Sequence, residues 1–279
     1  MAAIKIKKNF ENVANSFALL RSENMFCDVN LIVENKVFPC HKLVLSASSD
    51  YFMNMFNGSF VEHEKKDITI HDVTAEVFAN VLDFIYCQEI SVDENNLEGI
   101  LGASCMFLLS ELKESCVKFC ETMICDANFV FLTDTAELYD LDDLMKKCID
   151  WIVSKFKHME ESSFLSLSSH TACKVLSSKE LSVSNEVEVG KAVLKWLKAN
   201  PEHASQDIEK MVSAIRLAEC DTLFVKSVLM ESDLIKKSVE TIAMMSLFCE
   251  QKCYGLFFPK EIPIHFPRRS TGLRFQVSH

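Results

Sequence analysis

A shortage of glycine and proline limits this chain more than any other feature of its sequence. The 279 residues include six Gly and five Pro, about a third of the share that average proteins use. Turn-rich sandwiches and propellers need such residues at frequent intervals. The sequence therefore predicts a mostly helical protein, and its length allows two domains of ordinary size.

The charge balance narrows the classes of partner. The net charge is −11, and 49% of the residues are hydrophobic, which is typical of a globular protein with a sizeable core. An acidic chain repels phosphate backbones, so we expect neither nucleic acid nor a membrane as a direct partner. No apolar run approaches the about 20 residues that span a bilayer.

The first part of the chain mixes two hydrophobic periods. Residues 10–23 predict a helix whose apolar stripe consists of Phe10, Val13, Phe17 and Leu20. Three segments alternate between polar and apolar residues and predict strands: 27–33, 37–40 and 67–71. Two longer segments predict helices: 42–56 and 74–86. We therefore expect an α+β domain with a small sheet and surrounding helices over residues 1–124.

The second part of the chain carries helical patterns alone. Asn185, with Glu188 three residues later, predicts a capped helix start. We expect an all-α domain over residues 125–258. Residues 259–279 contain three of the five prolines and predict an extended tail.

Twelve cysteines raise the question of disulfides or metal sites. The N-terminus, MAAIKIKKNF, has no signal-peptide core. We therefore expect a cytoplasmic protein, with a nuclear location also open, and free thiols. The pairs Cys116/Cys120 and Cys249/Cys253 lie in predicted helices beside apolar residues, which favours buried structural thiols over zinc ligands.

Motifs of enzymes are missing from the sequence. It contains no Gly-x-Ser-x-Gly elbow, no phosphate-binding glycine loop and no His-Glu-x-x-His pair. We therefore expect no catalytic residue, no metal and no cofactor, and we interpret the chain as a binding protein rather than an enzyme.

Specific motifs in the first domain resemble the BTB/POZ family. Residues 27–33 (CDVNLIV) are similar to its Cys-Asp-Val strand, and residues 38–56 (FPCHKLVLSASSDYFMNMF) to the segment that follows it. Residues 78–86 (FANVLDFIY) resemble a family helix, and 97–123 its final helix pair. The resemblance implies a BTB/POZ fold.

The second domain resembles a BACK domain. The similar segments are 136–139 (AELY), 150–156, 176–181 (LSSKEL), 188–196 and 215–217 (IRL). BTB followed by BACK is the order found in kelch-like substrate adaptors of cullin-3 ubiquitin ligases, and the similarity covers about residues 10–258. Kelch propellers carry Gly-Gly pairs, of which this sequence has none, while its tail resembles the lead-in to a propeller.

The resemblance implies two interaction sites. The first is a BTB dimer interface, which would include Phe10, Val13, Phe17, Leu20, Asp28 and His41. The second is a cullin-3 site at a hydrophobic-x-Glu motif, here Phe60-Val61-Glu62, in which Phe60 and Glu62 would make the contacts. The first BACK helices, about residues 126–156, would complete the groove for the cullin.

Several functions remain open at this point. One is a dimeric scaffold that joins cullin-3 to an unknown substrate protein. Others are a BTB dimerisation or co-repressor-type module without a ligase role, and a truncated competitor of full-length adaptors. The dimer partner is either a second copy or another BTB protein. A zinc- or thiol-dependent enzyme or sensor is a further alternative.

Overall fold

The computed structural model describes residues 11–57 and 65–253. The chain divides into two compact units. The first unit runs to Met123 and also includes Leu138–Leu141, whereas the second includes Ile124–Glu137 and continues from Asp142.

Helices dominate both units. Those of the first unit are α1 Glu11–Ser22, α2 Lys42–Ser48, α3 Asp50–Phe56, α4 Ala75–Cys87, α5 Leu97–Met106 and α6 Ser110–Met123. The remaining α-helices are α7 Phe129–Leu138, α8 Asp142–Lys155, α9 Glu161–Leu165, α10 Ser169–Leu176, α11 Glu186–Ala199, α12 Pro201–Ser213, α13 Thr222–Phe224 and α14 Val239–Cys253. A π-helical segment spans Val225–Leu229, and short 3₁₀ turns lie at Leu217–Glu219 and Ile235–Lys237.

The first unit is built on a sheet of three short strands. These are β1 Val29–Val33, β2 Lys36–Cys40 and β3 Asp67–Thr69, in the order β2-β1-β3. β1 pairs with β2 as an antiparallel hairpin and with β3 in parallel. The apolar face predicted for β1 is fully buried. The predicted strands are therefore confirmed.

The prediction of one helix over residues 42–56 is wrong. Ser49 adopts an extended conformation, with φ −152° and ψ 125°, and separates α2 from α3. Its hydroxyl accepts a hydrogen bond from the Phe52 N–H (3.3 Å), which caps α3, and donates one to the Phe107 carbonyl (2.6 Å). The Phe107 carbonyl is distant in sequence, so local helix propensity did not indicate the break.

Four phenylalanines fill the centre of the first unit. Phe107 stacks on Phe52 with ring centroids 5.4 Å apart and meets Phe78 edge-on at 5.6 Å. Phe78 in turn meets Phe38 of β2 edge-on at 5.2 Å. Such offset and edge-to-face pairs are the favoured aromatic geometries, so one cluster joins the sheet to α3, α4 and the end of α5.

The described part of the second unit contains helices and no strand. Trp196 lies at its core and donates from Nε1 to the Leu167 carbonyl (2.9 Å). The predicted start of α11 is confirmed, because Asn185 Oδ1 accepts from the Glu188 N–H (3.3 Å) and the Glu188 carboxylate accepts from the Ser184 N–H (3.0 Å). The expected fold class, an α+β unit followed by helices, is confirmed.

Candidate protein-interaction site

An apolar surface follows α1. The Phe26 loop, residues 23–26, carries two non-glycine residues in the left-handed conformation, Asn24 (φ 54°) and Phe26 (φ 61°). The Phe26 side chain is 78% exposed, and the side chains of Leu19 and Met25 are also exposed. Large apolar residues in a constrained loop are typical of contact sites for another protein.

A buried histidine holds this loop from beneath. His41, only 7% exposed, lies between Met25 and Tyr86. Its Nε2 is 2.9 Å from the Met25 carbonyl, and its Nδ1 is 3.1 Å from the Tyr86 hydroxyl. The His41 backbone N–H also donates to that hydroxyl (2.9 Å).

The hydrogen-bond network assigns the proton positions. The Met25 carbonyl can only accept, so His41 Nε2 carries a proton and donates to it. In the neutral ring, Nδ1 then carries no proton and accepts from the Tyr86 hydroxyl. The Cys27 Sγ lies 3.7 Å from the same Nε2. Since Nε2 already carries a proton, His41 is not placed to deprotonate Cys27, and the pKa of that thiol is raised, chiefly by burial.

Arg21 fixes the end of α1 to the rest of the unit. Its Nε donates to the Pro39 carbonyl of β2 (3.3 Å), and its guanidinium lies 5.0 Å from the Tyr86 ring centroid. One guanidinium nitrogen is 3.8 Å from an Asp83 carboxylate oxygen on α4. Arg21 at the end of α1 and His41 beneath the Phe26 loop thus both contact Tyr86.

The residues predicted at the dimer interface differ in their exposure and in their contacts. Phe17 and Leu20 are half-buried, and the Phe17 ring centroid is 6.4 Å from that of His41. Asp28 accepts a hydrogen bond from the Lys42 N–H (2.8 Å) at the start of α2. Asp28 and His41 therefore have partners within their own chain, and their interface role stays a prediction.

The exposed residues Leu19, Met25 and Phe26 were missed by the sequence reasoning. Leu19 lies off the predicted helical stripe, and the two others lie in a loop that carries no periodic signal. Phe26 has a left-handed backbone, and no glycine at this position signals that conformation in the sequence.

A second apolar surface lies at the junction of α2 and α3. The Met53 N–H donates to the Ser49 carbonyl (2.9 Å), and the Ser49 hydroxyl binds the carbonyl of Phe107. The backbones of Met53 and of Phe107, the residue before Leu108, are therefore both bonded to Ser49. Both side chains are exposed, and Leu108, 53% exposed, has a left-handed backbone (φ 53°). We call this pair the Met53–Leu108 surface.

Helix α7 presents a third set of apolar side chains. Phe131 and Leu138 are exposed and lie seven residues apart, which places them on one face of the helix.

Several other predicted residues cannot be placed: Phe10, Phe60, Glu62 and the tail 259–279 lie outside the described residues, as does the side chain of Val13.

Three cysteines of the helical pairs, Cys116, Cys120 and Cys249, are buried, and the side chain of Cys253 lies outside the described residues. Cys116 and Cys120 lie in α6, and burial raises the pKa of each to about 11. Over residues 11–57 and 65–253, no group of three His, Cys, Asp or Glu side chains is arranged to hold a metal ion. In the same part of the chain, no helix is both long and apolar enough to cross a bilayer.

Comparison with known proteins places both units in families. The BTB/POZ domain model matches residues 17–124, and the model described as BTB And C-terminal Kelch (BACK) matches residues 129–230. Kelch-like protein 3 from Homo sapiens and from Bos taurus are each 30% identical over 220 residues. This alignment covers 78% of the chain and 38% of each relative.

Solved structures give a weaker likeness. The BTB domain of zebrafish PATZ1 is 28% identical, and the match covers 43% of this chain and 97% of that one, with a TM-score of 0.39.

The small sheet wrapped by helices, followed by a helical unit, defines a BTB-BACK protein of the adaptor-scaffold class. The chain belongs to the kelch-like family of such proteins and spans 38% of the length of the curated relatives it matches.

Proposed function

We propose that the chain is a dimeric scaffold that binds cullin-3 and serves as the substrate-adaptor part of a cullin-3 ubiquitin ligase. Binding would use Phe60 and Glu62, together with the first BACK helices. A scaffold needs no catalytic residue of its own, so the protein is not an enzyme in this proposal. The substrate protein is one that other parts of a longer adaptor would select.

The observation that carries the proposal is the Met53–Leu108 surface. Met53 lies on α3, the helix that leads into the segment containing Phe60 and Glu62. Met53 and Leu108 are both exposed, and methionine is enriched at protein interfaces. The exposed residues Phe131 and Leu138 of α7 supply a similar surface on the first BACK helix.

Calorimetric titration with the N-terminal domain of cullin-3 tests the proposal. We expect tight binding by the parent chain. The double substitution Phe60→Ala, Glu62→Ala should weaken it at least tenfold, about 1.4 kcal/mol. Met53→Ala should weaken it in the same direction, because the exposed methionine would lose its contacts with the cullin.

Leu247→Ala is the matched control, since Leu247 is an exposed leucine on α14. It should bind cullin-3 as the parent does. Equal losses in all variants would indicate a general effect on folding. Absence of binding by a well-folded parent would rule out the ligase-scaffold proposal.

One observation favours a second candidate, a dimerisation or co-repressor-type module without a ligase role. Among the described residues, Phe26 is the most exposed phenylalanine, and it lies in the loop after α1, whereas Met53 lies on α3. A dimer that ignores cullin-3 in the same titration would support this candidate. A dimer that binds cullin-3 but recruits no substrate would instead fit a competitor of full-length adaptors.

A further inference from the structure

One helical segment of the second unit presents two exposed apolar side chains on the same side. It begins with α13, Thr222–Phe224, and continues as the π-helical segment Val225–Leu229. Leu223 is 69% exposed and Val228 is 39% exposed. They lie five residues apart, which is the spacing of hydrogen-bonded residues in a π-helix, and such turns are frequent at functional sites. We call this pair the Leu223–Val228 surface.

The opposite side of the segment packs closely on α11. Phe224 and Leu229 are also five residues apart, and both are buried. A Cβ added to Gly190 of α11 would lie 2.7 Å from Cε1 of Phe224 and 3.6 Å from Cδ2 of Leu229. The absence of a side chain at Gly190 therefore permits the Phe224 contact. Because these two side chains are held inward, Leu223 and Val228 remain directed outward.

The last turn of α14 is attached close to this surface. Lys252 Nζ donates to the carbonyls of Cys220 (2.5 Å) and Ala218 (3.2 Å). Leu223 follows Cys220 by three residues, which is at most about 11 Å of chain, and the five residues from Lys252 to Phe257 extend at most about 18 Å. The chain that follows α14 therefore starts within reach of Leu223.

We propose that Leu256, Phe257 and Phe258, which lie outside the described residues, dock on the Leu223–Val228 surface. We call these three residues the docking segment. Their attachment would set the direction in which the rest of the chain leaves the second unit. The inference goes beyond the proposed function, because it requires neither cullin-3 nor a dimer.

Sequence and charge favour this occupant. The docking segment is the first run of large apolar residues after α14, and Pro259 disfavours a helical conformation at the residue before it. Residues 254–279 contain four basic side chains and one acidic one, in a chain of net charge −11. The charged side chains within the surface segment and just before it are exposed, and two of the three are acidic: Glu219, Asp221 and Lys226. Opposite charges therefore attract the C-terminal residues to this side of the unit.

Photocrosslinking of the full chain tests the contact. Phe257 is replaced by the photoreactive benzoylphenylalanine, and the irradiated protein is digested with trypsin and mapped by mass spectrometry. We expect the probe to attach mainly to peptides 217–226 and 227–236, which contain Leu223 and Val228. Attachment mainly to any other part of the chain, such as peptide 238–252 with Leu247, would overturn the proposal, as would a lack of attachment.

Substitutions on the surface test whether the attachment depends on it. Leu223→Asp should lower the crosslinking yield at least fivefold, and Val228→Asp should lower it in the same direction, because a carboxylate replaces an apolar contact. Leu247→Asp is the matched control, since Leu247 is an exposed leucine on α14, and it should leave the yield within twofold. Equal losses in all three variants would contradict the assignment to this surface.

Chymotrypsin gives an independent readout on chains without the probe. Leu223→Asp should speed cleavage after Phe257 at least fivefold, because the docking segment would be released. Cleavage after Phe275, which lies outside the docking segment, should stay within twofold and is the internal reference. A parent and a Leu223→Asp variant that are cut equally fast after Phe257 would overturn the proposal.

Isotope mixing identifies which chain supplies the docking segment. Probe-bearing chains are mixed with an excess of chains labelled with ¹⁵N before irradiation. Crosslinks within unlabelled chains support docking of the chain's own segment. Crosslinks mainly between unlabelled and labelled chains would overturn the proposal, because a second copy would then be the occupant.

Discussion

Glu186 is a carboxyl group that the second unit buries at the start of α11. It is 6% exposed, and its Oε1 accepts a hydrogen bond from the Arg216 N–H (2.7 Å). Burial raises the pKa of Glu186, and the hydrogen bond from Arg216 opposes this rise without cancelling it. The folded chain therefore binds a proton at this position more readily than the unfolded chain does.

The raised pKa of Glu186 makes the free energy of unfolding depend on pH in one direction. As the pH rises from the ordinary Glu range to the raised pKa, the unfolded state loses its proton first, so the free energy of unfolding falls. The decrease from one group cannot exceed about 1.4 kcal/mol per pH unit. We expect Glu186→Gln, whose amide oxygen can still accept from Arg216, to remove this decrease.

Urea unfolding of the parent and of Glu186→Gln between pH 4 and pH 8 measures the difference. Glu180→Gln is the control, because Glu180 is exposed. A parent that gains stability relative to Glu186→Gln as the pH rises would contradict the prediction.

At the scale of the helices, the break between α2 and α3 contains a serine that also contacts the end of α5. Ser49 caps α3 and also satisfies the Phe107 carbonyl at the end of α5. We expect Ser49→Ala to lower the free energy of unfolding by about 1–3 kcal/mol, since it removes a cap and leaves a buried carbonyl without its donor.

The neighbouring Ser48→Ala provides the comparison for this prediction. Ser48 is exposed, and its hydroxyl bonds back only to the Val44 carbonyl of its own helix. Chemical denaturation should show a change within about 0.5 kcal/mol for Ser48→Ala. Equal effects of the two substitutions would show that the Ser49 contacts contribute little.

Elements with a strong period could be predicted from the sequence, and those fixed by distant contacts could not. The alternation of β1 and the Asn185 cap of α11 are local signals, and both were found. The Ser49 break depends on Phe107, 58 residues away. The same holds for the candidate site: the family resemblance indicated α1 and His41, but His41 bonds to Met25 and Tyr86, which are 16 and 45 residues away.

At the scale of the whole molecule, the exposure of the cysteines reflects how tightly each unit is packed. Eleven of the twelve are described: Cys87 and Cys125 are exposed, Cys27, Cys105 and Cys173 are intermediate, and Cys40, Cys116, Cys120, Cys148, Cys220 and Cys249 are buried. Burial raises the pKa of Cys40 to about 11 and that of Cys220 to about 12. Low access and low thiolate content both slow reaction with thiol reagents.

We expect the native protein to react quickly with an aromatic disulfide reagent at Cys87 and Cys125 and not at the six buried thiols. In guanidinium all twelve should react. Mass mapping of the labelled positions checks the assignment. Fast labelling of Cys116 or Cys120 in the native protein would contradict the packing of α6.

The placement of Leu138–Leu141 in the first unit has a consequence for synthesis of the chain. Leu141 is buried, and the Tyr139 hydroxyl approaches Gly102 of α5 so closely that a Cβ there would lie 2.6 Å from it. When Met123 has emerged from the ribosome, residues Leu138–Leu141 have not yet emerged. At 5–20 residues per second, the ribosome needs about one to four seconds more to deliver them. We therefore expect the contacts of Leu138–Leu141 to form after the rest of the first unit has emerged.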